Sequence, residues 1–151
     1  MAAFTHQIQI GQGSKQTRSQ RAAMQEFLAR VNPKQKKIFT SLRSALNALP
    51  EVEESIEIDD VSGEWCPAYR VRGTDLAWVR FEDQLAVTFP VEPNFEKKVY
   101  QDENLDSSVV DQIKEAEESG EIKWASVDIK STEDVDNVFP VLKLRHSILM
   151  A

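Results

Sequence analysis

Residues 69–81 read YRVRGTDLAWVRF, and the direction in which their side chains point decides the fold. Three arginines and a tryptophan fall in this one stretch of a chain whose formal charge is −7. The aromatic and β-branched residues on either side of Gly73 predict two strands joined by a tight turn. Side chains alternate across a strand, so loop length sets which of them share a face. A three-residue loop at Gly73, Thr74 and Asp75 groups Tyr69 and Val71 with Ala77, Val79 and Phe81, and puts Arg70, Arg72, Trp78 and Arg80 on the other side. A two-residue loop is the commoner hairpin connection, but it would mix arginines with the apolar set. An unpaired guanidinium in a core costs several kcal/mol, so the three-residue loop is the expectation.

The same parity extends outward. An odd loop at Glu82–Gln84 brings Leu85, Val87 and Phe89 to the apolar face and Thr88 to the arginine face. Upstream, EVEESIEID alternates acids with Val52, Ile56 and Ile58 and predicts a strand with a carboxylate-rich outer face. If it pairs with a strand at 66–72, Glu53, Glu57 and Asp59 fall beside Arg70 and Arg72, with Trp78 against an arginine plane. That is an internal charge lattice. The alternative is a binding surface for an unknown protein or a small anionic ligand: Arg70, Arg72 and Arg80 would grip a phosphate or carboxylate while Trp78 stacks on a ring. Both readings are open at this point.

Around this meander, IKWASVDI predicts a fifth strand, and FTHQIQI near the start alternates well enough for a short edge strand. A helix is expected from Ser19 to Val31, with Met24, Phe27, Leu28 and Val31 on one side. Asn32 caps and Pro33 opens a second helix, in which Ile38, Phe39, Leu42, Ala45, Leu46 and Leu49 recur at three and four before Pro50 ends it. A third runs from Asp106 to Ser119, closed by Gly120. Thr132 caps a last one, which Pro140 is expected to kink or divide. The pattern predicts an α+β class: an antiparallel β-meander of about five strands packed against N-terminal and C-terminal helices. Residues 1–18 are expected to be a flexible, basic, polar tail, and 19–151 one domain.

A chain of 151 residues with 41% hydrophobic content can bury a real core. No apolar run approaches the roughly 20 residues of a membrane helix, and the first residues lack the pattern of a secretory signal, so a soluble, cytoplasmic protein with no membrane partner is expected. Cys66 is the single cysteine, which excludes an internal disulfide and a multi-cysteine metal site. Charge is unevenly spread. Residues 1–50 hold eight Lys or Arg against the lone acid Glu26, while the remainder holds ten bases and twenty-four acids. Basic helices beside an acidic sheet would produce this split. So would a nucleic-acid surface built from Lys15, Arg18, Arg21, Lys34, Lys37 and the hairpin arginines.

Catalytic signals are sparse. Neither His6 nor His146 has a triad partner nearby in sequence, and Cys66, between Trp65 and Pro67, reads as a packing residue. GQGSKQT lacks the spacing of a P-loop. Carboxylates are the abundant ligand type: Asp111, Glu115 and Glu118 share a helical face if the helix runs to residue 119, and would suit a hard cation such as Ca²⁺, Mg²⁺ or iron. No cofactor is expected, and a binding domain is favoured over an enzyme.

From GEWCPAYRVRGTDLAWVRFEDQLAVTFP through IKWASVDIKSTEDVDNVFPVLKL, the chain resembles the small bacterial domains grouped as YdhG-like and MmcQ/YjbR-like. These share an N-terminal helical pair, a meander strand matching Gly73–Phe81, and a late strand followed by a helix start matching Ser131–Asp136. The resemblance covers about residues 25–150 and is chiefly one of hydrophobic pattern. It implies two candidate functions, frataxin-like iron delivery and DNA binding. The basic segment Lys15–Arg21 and Pro140 have no counterpart in either pattern.

Overall fold

The computed structural model describes residues 8–10, 17–116, 118–119 and 122–151. Its centre is an antiparallel sheet. The strands are β1 (Ile8–Ile10), β2 (Val52–Ile58), β3 (Trp65–Val71), β4 (Thr74–Phe81), β5 (Leu85–Val91), β6 (Glu118–Ser119) and β7 (Ile122–Asp128), in the spatial order β1-β2-β3-β4-β5-β7-β6. The four strands β2 to β5 form the expected meander and β7 completes the five principal strands, with two short strands at the edges. β1 lies within FTHQIQI, where a short edge strand was expected.

Five helices accompany the sheet: α1 (Arg18–Arg30), α2 (Pro33–Asn47), α3 (Pro93–Gln101), α4 (Ser107–Glu115) and α5 (Thr132–Met150). Thr17 and Gln20 close a reciprocal capping box at α1, and the Asn32 side chain accepts from Gln35 N at 2.8 Å ahead of Pro33 in α2. The helices stack on one face of the sheet. Phe27, Phe39, Leu42 and Leu46 of the first two helices join Ile56, Tyr69, Val79, Val87 and Phe89 of the sheet in one core with Val138 and Leu142 of α5. Among the described residues no helix is long and apolar enough to cross a membrane.

Four local expectations are corrected. α3 was not foreseen, although Pro93 at its first turn and the Phe95/Val99 pair one turn apart are its signature. α4 ends at Glu115, and Glu118–Ser119 pairs with β7 instead of continuing the helix, so sheet pairing overrides the amphipathic pattern there. Ser131, not Thr132, is the N-cap of α5, accepting from Asp134 N at 3.2 Å. Of the two outcomes expected at Pro140, division does not occur: α5 runs through it as one helix. The carbonyl that loses its donor belongs to Asp136, an exposed residue whose backbone can bond to water.

The β3–β4 connection departs from expectation in an instructive way. It is a two-residue turn at Arg72 and Gly73, with φ of 52° and 80°, the left-handed pair that the twist of a tight hairpin demands. The parity problem is solved by a bulge. Arg70 pairs with Asp75 and Tyr69 with Ala77, so Leu76 is an extra residue on β4. Beyond it the alternation is the one burial requires: Tyr69, Val71, Ala77 and Val79 are buried on the helical side, Phe81 packs against that core, and Arg70, Trp78 and Arg80 face the other way. Arg145 of α5 holds the bulge, its Nη2 donating to Asp75 O at 2.5 Å and its Nε to Leu76 O at 3.3 Å, while the guanidinium also binds Glu92. The loop at Glu82–Gln84 is odd, as expected, and sets Thr88 opposite Trp78.

Candidate functional site

The sheet face away from the helices carries the residues singled out by the sequence. Arg70 forms a bidentate pair with Glu57, one arm at 3.2 Å, and its Nε lies 3.0 Å from Asp75. Its guanidinium carbon stands 5.6 Å from the centre of the Trp78 ring, and Trp78 Nε1 donates to Asp75 at 3.2 Å. Arg80 donates to Asp59 at 2.5 Å, and Ser62 adds bonds to the same carboxylate from its backbone N at 3.1 Å and its hydroxyl at 2.9 Å. Burial pushes the Asp59 carboxyl up, but the bonds from Arg80 and Ser62 outweigh it and hold the group below the usual carboxylate range. Burial likewise works against the charged form of Arg70, and Glu57 and Asp75 more than compensate, raising its pKa.

The lattice therefore exists: the expected Arg70–Glu57 pair and the arginine–Trp78 contact form, while Asp59 goes to Arg80 and Arg72 to Glu51. Arg70 takes Glu57 and Asp75, and Arg80 takes Asp59. Arg72 does not join the face: it sits in the turn and bonds Glu51 through two nitrogens, at 3.2 and 3.1 Å, and the Met150 carbonyl at 3.1 Å. The reason is the two-residue turn, which moves Arg72 out of the strand alternation. The charges expected to receive an anion are each balanced by a carboxylate.

Beside these pairs lies a groove of about 570 Å³, within the range of small-ligand sites. Trp78 and Arg80 form one wall, Trp124 of β7 stands in the other, and Ile58, Asp60 and Val61 close one end. Thr88, Ala125 and Ser126 make up the floor. Two features of this groove suit a ligand. Trp124 and Val61 are 42% and 81% exposed, an unusual position for large apolar side chains. Thr88 is only 7% exposed, lies on the groove side of β5, and its hydroxyl has no hydrogen-bond partner among the described residues. The hydroxyl oxygen is reachable from the groove, so a bound polar group can take the place of water on it.

Sequence reasoning missed Trp124, Thr88 as a lining residue of the groove, and the Asp60–Val61 loop. The strand containing Trp124 offers apolar residues on both parities, and Lys123 argues against placing its own parity inward. In fact Lys123 is buried, with its ammonium 2.5 Å from Glu96. That ion pair releases Trp124 to the outer face.

The other candidates are dispersed. Arg18 and Arg21 begin α1, whereas Lys34 and Lys37 begin α2, so the length of α1, about 18 Å at 1.5 Å per residue, stands between the two pairs. Lys15 and His6 lie outside the described residues. Two cations of the same basic third serve the fold: Arg30 donates to the carbonyls of Phe81 at 2.9 Å and Trp65 at 2.7 Å, and Arg43 grips the buried Glu54 with two bonds of 2.8 Å. Asp111 and Glu115 are exposed on α4, but Glu118 belongs to β6, so the three do not share a helical face. Among the described residues there is no group of three or more His, Cys, Asp or Glu able to hold a metal ion. Cys66 is buried, and desolvation, aided by Asp59, pushes its thiol up to about 11, far from thiolate chemistry. His146 is on the helical side, 2.8 Å from the Pro50 carbonyl.

Comparison of the chain with protein-family models, curated proteins and solved structures returns no match, so the likeness to YdhG-like and MmcQ/YjbR-like domains rests on the quoted segments alone.

Proposed function

We propose that this protein is a binding domain that takes a small organic ligand in the groove between Trp78 and Trp124 on the open face of its sheet. The observation that carries this reading is a groove flanked by two indoles, one of them the exposed Trp124, with the Thr88 hydroxyl open to it and bonded to no protein group among the described residues. The indoles supply flat apolar contact at low entropic cost, and the hydroxyl supplies one directional bond, which is the usual economy of a small-molecule site. The lattice of Arg70 and Arg80 with Glu57, Asp75 and Asp59 acts as the scaffold that fixes Trp78 and the groove wall.

A fragment screen on the isotope-labelled full chain tests it. Shift changes from binding fragments should gather on Trp78, Thr88, Trp124 and Ser126 and disappear in Trp124→Ala. Fragments that gather on the helical side instead, or bind equally well to Trp124→Ala, would remove the groove as the site.

A further inference from the structure

The geometry points to a ligand class: the groove is built for an organic ammonium carrying an apolar or aromatic body, and against anions. This rests on the groove being the binding site, and adds what it selects. Four carboxylates line it, those of Glu57, Asp59, Asp60 and Asp75. Only two guanidinium groups face them, Arg80 in the groove and Arg70 behind Trp78. Glu57, Asp59 and Asp75 are occupied by those two, whereas Asp60 makes no ion pair among the described residues and stands exposed at the rim. A second hollow opens from the same Arg80 and Ser126 and adds Glu82, Asp83 and Asp128. The field over the groove is therefore negative, although the sequence marks the region by its arginines.

An arriving anion would meet like charge in a partly desolvated cleft, whereas a cation is drawn in. Once inside, an ammonium has three kinds of partner. The exposed Trp124 ring offers its π face, for the same kind of cation–π contact that Arg70 already makes with the Trp78 indole. The Thr88 hydroxyl oxygen, open to the groove and bonded to no protein group among the described residues, can accept an N–H. The Asp60 carboxylate balances the charge at the rim. Ile58 and Val61 are left for the apolar body.

Three probes of one shape separate the possibilities: phenethylamine, protonated at pH 7, its neutral analogue 2-phenylethanol, and the anion phenylacetate, each titrated into the labelled full chain. The ammonium should shift the Trp78 and Trp124 indole signals with a Kd about two- to fivefold below that of the alcohol, the fold-change equivalent to one exposed cation–π contact, and phenylacetate should be weakest. Asp60→Asn should reduce the ammonium's advantage and leave the alcohol unchanged, while Glu26→Gln on α1 should alter neither. If the alcohol binds the groove as tightly as the ammonium, the charge preference is wrong and the site itself stands. Failure of all three to move the open-face signals would overturn both. Ammonium shifts spread evenly over exposed acids would reduce the effect to nonspecific charge attraction and overturn the selection as well.

Discussion

The two faces of the sheet hold the same kinds of ion pair in different surroundings. On the helical face Arg145 is 1% exposed and Glu54 2%, each enclosed by partners from other elements: Arg145 by Glu92 and the bulge carbonyls, Glu54 by Arg43, Asn47 and the Tyr69 hydroxyl at 2.7 Å. Tyr69 is fully buried, and desolvation, then the neighbouring Glu54, drive its phenol well above the ordinary value, so it remains a hydrogen-bond donor. On the open face the Arg70 and Arg80 side chains keep 18% and 29% of their surface, and their carboxylate partners frame a groove instead of a core. These pairs specify how helices sit on strands, because removing Arg43 or Glu92 would leave a sealed charge, Glu54 or Arg145, without its partner. The open-face pairs, in which no member is as fully sealed as Arg145 or Glu54, are cheaper to break and leave their surroundings accessible.

The contrast can be broken most forcefully at Arg145. Arg145→Met removes a cation from inside the fold and leaves Glu92 and the carbonyls of Asp75 and Leu76 without their donor. Glu92 keeps contact with water, so the expected loss comes chiefly from the two stranded carbonyls and is about 2–4 kcal/mol in urea denaturation. A loss below about 1 kcal/mol would mean the buried pair is not what ties α5 to the bulge.

Asp59 sharpens the open side of the comparison. Its folded pKa is depressed, so its stabilisation is fully present above the unfolded value near 4 and is lost as pH falls through the lower folded value. Asp59→Asn should cost about 1 kcal/mol at pH 7, and the gap from the parent should close as the medium is acidified below about pH 4. A gap that stays constant with pH would assign the effect to packing instead of charge.

Trp124 should show the smallest effect on folding. Trp124→Ala is expected to change stability by about 1 kcal/mol or less, the scale of a cross-strand contact on an exposed face, while abolishing fragment shifts in the groove. A variant that unfolds would make Trp124 a part of the structure and not of the site.

Much of this arrangement was legible in advance, at particular residues. The Asn32-Pro33 cap, the spacing of Ile38, Phe39, Leu42 and Leu46, and the alternation through β3 to β5 give the helical pair, the meander and the inward set of side chains. The groove was only half legible. Trp78 and Arg80 stand where parity puts them, but Trp124 comes from a strand far along the chain that reaches β5 only after α3 and α4. Spacing puts Glu57 and Asp59 beside the hairpin arginines, but it does not assign Asp59 to Arg80 instead of Arg72, which depends on the turn and on the register of the folded sheet.

What the sequence determined alone is which side chains must avoid water, because hydrophobic periodicity is written locally and burial of a bare charge is prohibitive. It did not determine how the chain satisfies that demand. A three-residue loop and a two-residue turn with a bulge give the same parity at Trp78, and the choice fell to the second because Arg145, sixty-nine residues beyond Leu76, supplies donors to the carbonyls that the bulge sets free. The sign of the open face was settled in the same way. Counting arginines suggests a positive surface, and only the assembled sheet, by bringing acids from β2, its following loop and β4 around them, makes it negative.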